Sequence, residues 1–396
     1  MKIGINTSFT RKPDSGMGQV SINFLEKLGK TDFKSQASKF VFFLYLEEDI
    51  DLELPENFHK RIFLPPYKRD DLIRKIWWEK HLLPKKVKKD KCDVLFSLYQ
   101  SPTVIKGVPH IMLTHDCIWK IFPNYINNFR KKKYYDLVEK GIKEADKIMT
   151  ISESSKRDIQ KFCKIENKKI TVNPIDCDPI FKQKISRGNI EKTLEKHNLK
   201  RGNYVFYVGG FDARKNVEGL INAYGILWQK CSQKKDFPDL AIAGGFNPDL
   251  VPLVTDLPVE IAKAKNKYGV PGEKIKLLGF VEQHDLPALY RGAEAFCFPS
   301  LYEGFGLPIL EAFNSGCPVI ASRNSSLGEI VSKKNSFVAK NGDDKDLAET
   351  MQRCLKKRKE REKKVAKAFQ TAQKFSWDKF IDNFFFLSVA NVKRTQ

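Results

Sequence analysis

Short runs of β-branched and aromatic residues alternate with amphipathic stretches along nearly the whole chain, a pattern that predicts an α/β protein with parallel sheets. In the first half the expected strands are residues 2–6, 40–45, 94–97, 110–114 and 147–151. Between the first two, residues 18–28 place Val20, Phe24, Leu25 and Leu28 on one face of a helix. Residues 178–201 are polar and interrupt the alternation, with one short helical pattern near 193–197. A second series then predicts strands at 204–209, 240–244, 275–278, 295–299 and 318–322, and helices at 217–228, 285–291, 309–314 and 344–358. Two doubly wound sheets joined near residues 180–200 account for the 396 residues, at roughly 150 residues per domain. Ligands of such sheets bind beyond the carboxyl ends of the strands.

Composition narrows the picture. With 41% hydrophobic and 12% aromatic residues the chain can bury sizeable cores, which excludes global disorder. Its formal charge of +22 implies attraction to polyanions: nucleic acid, an anionic membrane face, or nucleotide and phosphate ligands. No apolar run approaches the ~20 residues a membrane-spanning helix needs, and the N-terminus reads as a first strand rather than a signal segment. The eight cysteines are scattered without C-x-x-C spacing, so reduced, buried thiols are expected rather than disulfides or zinc. These features predict a cytoplasmic protein.

Four loops carry candidate chemistry. Residues 300–311 run from a strand into a glycine-bearing loop and then a helix, with Glu303 in the loop and Glu311 early in the helix. Loop amides at a helix N-terminus suit phosphate or sugar oxygens, and ionised carboxylates, being pure acceptors, fit paired sugar hydroxyls. An acidic loop with no ligand accounts for the same residues equally well. After the strand at 204–209, Gly209 and Gly210 precede adjacent Arg214 and Lys215, which makes either a phosphate site or a solvated basic turn. Gly16 and Gly18 follow the first strand, but the G-x-G-x-x-G spacing fails because residue 21 is serine. His115-Asp116 ends the strand at 110–114, where a histidine either binds hydroxyls or packs structurally. Neither a Walker A loop nor a G-x-S-x-G elbow occurs.

In this order the motifs resemble the retaining glycosyltransferase family 4, of GT-B architecture, over nearly the whole chain. The resemblance rests on Gly16-Met17-Gly18, His115-Asp116, residues 145–158, 208–216, 278–281, Glu303 to Glu311 after Phe298-Pro299-Ser300, and 316–322. It implies two Rossmann-like doubly wound parallel-sheet domains facing a central cleft. The N-terminal acceptor domain would span 1–180, a linker 181–200, the C-terminal nucleotide-sugar domain 201–375, and a helix at 376–396 would cross back to the first domain. By the same resemblance, Arg214 and Lys215 would neutralise the donor diphosphate, and Glu311 would accept from the ribose hydroxyls. Glu303, with amides at Phe305, Gly306 and Leu307 nearby, would hold the donor sugar, and His115 would contact that sugar. Gly16 and Gly18 would close over the diphosphate, Gly209 and Gly210 would line the donor loop, and Phe280 and Val281 would meet the base. Many members carry arginine where this chain has Gly210, a charge Arg214 would supply instead.

The family implies metal-independent transfer with retention, needs no cofactor because the nucleotide sugar is a substrate, and points to mannosyltransferases of bacterial surface-polysaccharide assembly. GDP-mannose is the first expected donor and UDP-glucose or another UDP-hexose the next, with a glycan or lipid-linked acceptor. A non-catalytic sugar-nucleotide scaffold and a basic nucleic-acid-binding protein are the alternatives; no nucleic-acid module is recognisable. Residues 72–91 join an apolar-aromatic stretch to a lysine cluster, which reads as a core-packed helix or as a peripheral contact with an anionic membrane.

Overall fold

The computed structural model describes residues 1–31, 40–64, 71–232, 234–251 and 253–392. It divides into two compact units, one formed by Met1–Ile175 with Phe375–Gln396 and the other by Asp176–Lys374. In the first unit the strands are β1 (Lys2–Asn6), β2 (Val41–Leu46), β3 (Phe58–Ile62), β4 (Val94–Ser97), β5 (His110–Leu113), β6 (Lys147–Thr150) and β7 (Ile170–Val172). They form one sheet in the order β3-β2-β1-β4-β5-β6-β7, every pair parallel. The second unit contains β8 (Tyr204–Val208), β9 (Asp239–Ala243), β10 (Ile275–Gly279), β11 (Ala295–Phe298), β12 (Val319–Ser322) and β13 (Phe337–Ala339). Their order is β10-β9-β8-β11-β12-β13, again all parallel.

Parallel strands must be joined by crossovers, and helices on both faces bury the central ones completely. Accordingly β4, β5, β11 and β12 are buried at every position. Three strands were not anticipated from the sequence. β3, Phe-His-Lys-Arg-Ile, is largely polar because it is an edge strand, and β7 and β13 are three-residue edge strands too short to show a period.

The stretch expected as a linker at 181–200 is folded into the second unit. Its helix, Arg187–Lys196, packs on the helix Leu286–Gly292 so closely that a Cβ on Gly292 would lie 2.8 Å from Leu194. Arg291 donates to the carbonyls of Phe181 and Gln183, at 3.2 and 2.6 Å. The polar composition that suggested a linker is that of a surface helix burying only Ile190 and Leu194.

The last helix, Trp377–Val392, belongs to the first unit. Phe384 packs edge-on to Phe24 at 5.3 Å and against Phe96 at 4.8 Å, and Asn173 donates to the carbonyl of Phe380 at 3.0 Å. Of the apolar-aromatic stretch, Trp78 and Leu83 are fully buried, while Ile73 and Trp77, one turn apart, are exposed. All eight cysteines are free, and seven are buried. Among the described residues no helix is long and apolar enough to cross a membrane.

Candidate functional site

In a doubly wound sheet the chain order reverses between two neighbouring strands, and the loops leaving those strands splay apart to leave a crevice. In the second unit that pair is β8 and β11. The loop after β8 carries Gly209, Gly210, Arg214 and Lys215 ahead of the helix Val217–Lys230, and the loop after β11 carries Glu303. The two loops are tied by the Leu301 amide, which donates to the Arg214 carbonyl at 2.6 Å.

Three side chains expected to act together meet here. Glu303 Oε2 accepts from Arg214 Nη1 at 2.8 Å, and Oε1 accepts from Lys215 Nζ at 2.7 Å. Arg214 Nη1 also reaches the Tyr302 carbonyl at 3.2 Å, and its Nε lies 3.0 Å from Asp212 Oδ1. Lys215 Nζ sits 5.0 Å from the centre of the Phe298 ring. Burial pushes the Glu303 carboxyl up, but Lys215 and Arg214 outweigh it and hold the group below the usual carboxylate range. Burial lowers Lys215 despite the opposing pull of Glu303. The result is a compact cluster in which two cations meet two carboxylates, fixed in place and little exposed.

The Glu303 loop is held from β12. Ser326 donates from Oγ to the carbonyls of Glu303 and Phe305, at 2.7 and 2.8 Å, and Ser325 Oγ accepts from the Glu303 amide at 2.9 Å. Gly306 caps the helix Leu307–Asn314 at a φ of 121°, a conformation that favours glycine, and a Cβ there would lie 2.7 Å from Leu327. Phe305, Gly306 and Leu307 thus enter the helix start where expected. Glu311 lies in the next turn, partly covered, and accepts from the Tyr290 hydroxyl at 2.8 Å. Burial raises its carboxyl to about 7. Gly279 ends β10, leaving Phe280 half-exposed and Val281 buried at the same strand edge. The Gly210 carbonyl accepts from Tyr207 Oη at 2.6 Å, and Gly209 has a φ of 152°.

In the first unit, Gly16 and Gly18 begin the helix Gly16–Lys30 after β1, capped by Ser15 Oγ, which accepts from the Gly18 amide at 3.1 Å. The two glycines differ. A Cβ on Gly18 would lie 1.8 Å from the Lys12 carbonyl oxygen, whereas Gly16 has nothing within 4 Å. His115 follows β5 at the same sheet edge, and its Nε2 is 2.9 Å from the Leu98 carbonyl. Burial lowers its pKa to about 4, so the ring is neutral near pH 7 and Nε2 carries the proton donated to Leu98. Ser155 Oγ, in the first turn of the helix Glu153–Cys163, donates to the His115 carbonyl at 2.7 Å.

Sequence reasoning missed Asp212, Tyr290, Ser325 and Ser326. The paired serines in the polar run after β12 were the one signal available; a tyrosine in a mostly apolar helix gives none.

Comparison with known proteins agrees with this fold. Residues 189–371 match the family described as glycosyl transferases group 1, and residues 40–178 match glycosyltransferase family 4. The O-antigen chain mannosyltransferase B of Escherichia coli is 30% identical over 268 residues, which is 67% of this chain and 66% of that protein. A serotype-specific mannosyltransferase WbdA of Escherichia coli is 27% identical over 251 residues, 63% of this chain but only 29% of that protein. Among solved structures, WaaG, a glycosyltransferase involved in lipopolysaccharide biosynthesis, superposes with a TM-score of 0.70 at 16% identity, covering 94% of this chain and 95% of that one. Alr3699/HepE of Anabaena, in complex with UDP and glucose, gives 0.72 at 17% identity, covering 98% and 100%. At these identities the structures speak for the fold, and the two family matches speak for descent. This chain belongs to the group 1 and family 4 glycosyltransferases and has their GT-B fold.

Proposed function

We propose that this protein transfers a hexose from a nucleotide diphosphate sugar to a hydroxyl of a glycan or lipid-linked acceptor, with retention and without a metal. The observation that carries the reading is the Arg214–Glu303–Lys215 cluster at the switch point of the second sheet. GDP-mannose is the preferred donor, in keeping with relatives named as mannosyltransferases, and a UDP-hexose is the next choice.

As the sugar–oxygen bond breaks, negative charge collects on the departing diphosphate while the sugar becomes oxocarbenium-like. Two cations already fixed in a largely dry site stabilise that charge without reorganising at the moment of reaction. Glu303, held by both, is a weak base and a poor nucleophile, and its role is to accept from donor-sugar hydroxyls. A same-face attack requires no protein nucleophile, because the leaving phosphate accepts the acceptor's proton. Glu311 accepts from the ribose hydroxyls, and Phe280 and Val281 border the base.

Calorimetric titration of GDP and UDP into the wild type and Glu311→Ala, with and without EDTA, tests this. One nucleotide should bind, EDTA should not change its affinity, and Glu311→Ala should weaken it by about 10- to 100-fold, the worth of a hydrogen bond to a charged group. Binding of neither nucleotide, or binding indifferent to Glu311, overturns the donor site. Binding abolished by EDTA overturns metal independence.

A further inference from the structure

The carboxylate assigned above to the ribose has a partner outside both motif-bearing loops. Tyr290, on the helix Leu286–Gly292, is fully buried, and its hydroxyl meets Glu311 Oε2 at 2.8 Å. Its ring is wedged edge-on among Phe181, Phe206 and Phe296, with centroids 5.8, 5.3 and 5.0 Å away. A tyrosine clamped on three sides cannot follow a moving carboxylate, so it fixes where that carboxylate points. We propose that Tyr290 is a positioning residue for nucleotide recognition: its hydroxyl holds one oxygen of Glu311 and turns the other toward the paired hydroxyls of the ribose. The proposal rests on the donor-site reading.

The bond also bears on the charge of Glu311. Burial raises the Glu311 carboxyl, the negative field of Asp178 adds to that rise, and the Tyr290 hydrogen bond opposes it. The other titratable groups nearby are Cys177, whose sulfur accepts from Asn314 Nδ2 at 3.3 Å, and the Asp176–Lys182 pair. Burial keeps the Cys177 thiol and the Tyr290 hydroxyl protonated across the neutral range. Losing the Tyr290 hydroxyl therefore moves the Glu311 titration upward, and at neutral pH the ribose meets a protonated carboxyl with one acceptor fewer.

The test compares GDP with 2′-deoxy-GDP, and UDP with 2′-deoxy-UDP, on the wild type, Tyr290→Phe and Glu311→Ala between pH 6 and 9. The ratio of ribo to deoxy affinity cancels titration of the diphosphate itself. Tyr204→Phe serves as the structural control, since Tyr204 Oη bonds a backbone carbonyl, that of Leu289, in the same core. The wild type should prefer the ribonucleotide about tenfold at pH 8. Tyr290→Phe should retain less than about a third of that preference at pH 7 and regain much of it by pH 9, with Tyr204→Phe unchanged. A Tyr290→Phe ratio that tracks the wild type at every pH, while Glu311→Ala abolishes the preference, overturns the positioning role alone. A ratio indifferent to Glu311→Ala overturns the donor-site reading as well.

Discussion

Both sheets end in a cluster of opposite charges at the edge where their strands finish, and the two clusters are built on opposite plans. In the second unit, Glu303 faces Arg214 and Lys215 across two loops, each a few residues beyond its strand. In the first unit, Glu47 beyond β2 meets Arg74 at 3.0 Å and Arg11 at 3.4 Å, while Glu79 accepts from Tyr99 at 2.6 Å. Lys75 lies 4.0 Å from Glu79 and 4.3, 5.1 and 5.1 Å from the ring centres of Phe9, Tyr99 and Tyr134. Glu79 itself sits on a π-helical turn, Trp78–Leu82, that widens the helix and carries Trp78 and Glu79 into the interior. Rings seal this cluster, whereas the other is set in glycine-bearing loops. The difference teaches that buried charge alone does not mark chemistry: the cluster proposed as the donor site is set mainly among loops, the other mainly among rings.

The sharpest break in that comparison comes from Lys75→Ala, which leaves Glu79 buried without its cation. Removing one partner of a buried pair costs about 3–5 kcal/mol. Chemical unfolding near pH 9, where Glu79 is ionised in the wild type, should show that loss in the first unit, diminishing at pH 7 and below as Glu79 takes up a proton; a change below about 1 kcal/mol at pH 9 would put the cluster at the surface instead. Lys215→Ala is the mirror experiment. Turnover should fall by about 10²–10³, or roughly 3–4 kcal/mol in the barrier, while unfolding shifts by less than in Lys75→Ala because Glu303 keeps its bond to Arg214. Should stability suffer as much as in Lys75→Ala while turnover holds, the two clusters are alike and the catalytic reading of the second is wrong.

A smaller effect follows from pH. Burial lifts the Glu79 carboxyl to about 7, above the 4.5 of a free glutamate, so the folded first unit favours the protonated form. That contribution to stability is complete below 4.5 and is lost as pH rises through about 7. Relative to Glu79→Gln, the wild type should lose roughly 2 kcal/mol between pH 5 and 8. A difference that stays flat over that range would mean Glu79 is ionised throughout.

The same contrast explains what the sequence made legible. Arg214, Lys215 and Glu303 each lie in a short loop between a strand and a helix, where local residue type and spacing carry the signal. Lys75, Glu79, Glu47 and Tyr99 come from separate segments joined only by packing, and Tyr290 reaches Glu311 from a neighbouring helix; no spacing along the chain encodes such meetings. The central strands were visible because burial on both faces makes them continuously apolar. β3 was hidden by the lysine and arginine that suit an edge, and the helix Arg187–Lys196 by its solvent face.

The return of Trp377–Val392 to the first unit fixes an order of events during synthesis. Phe24 and Phe96 are among the earlier residues made, yet the ring that covers them, Phe384, emerges only after the whole of Asp176–Lys374. During synthesis the seam over Phe24 and Phe96 therefore stays open until all of Asp176–Lys374 has been made. The second unit has every residue of its own core before the first can close.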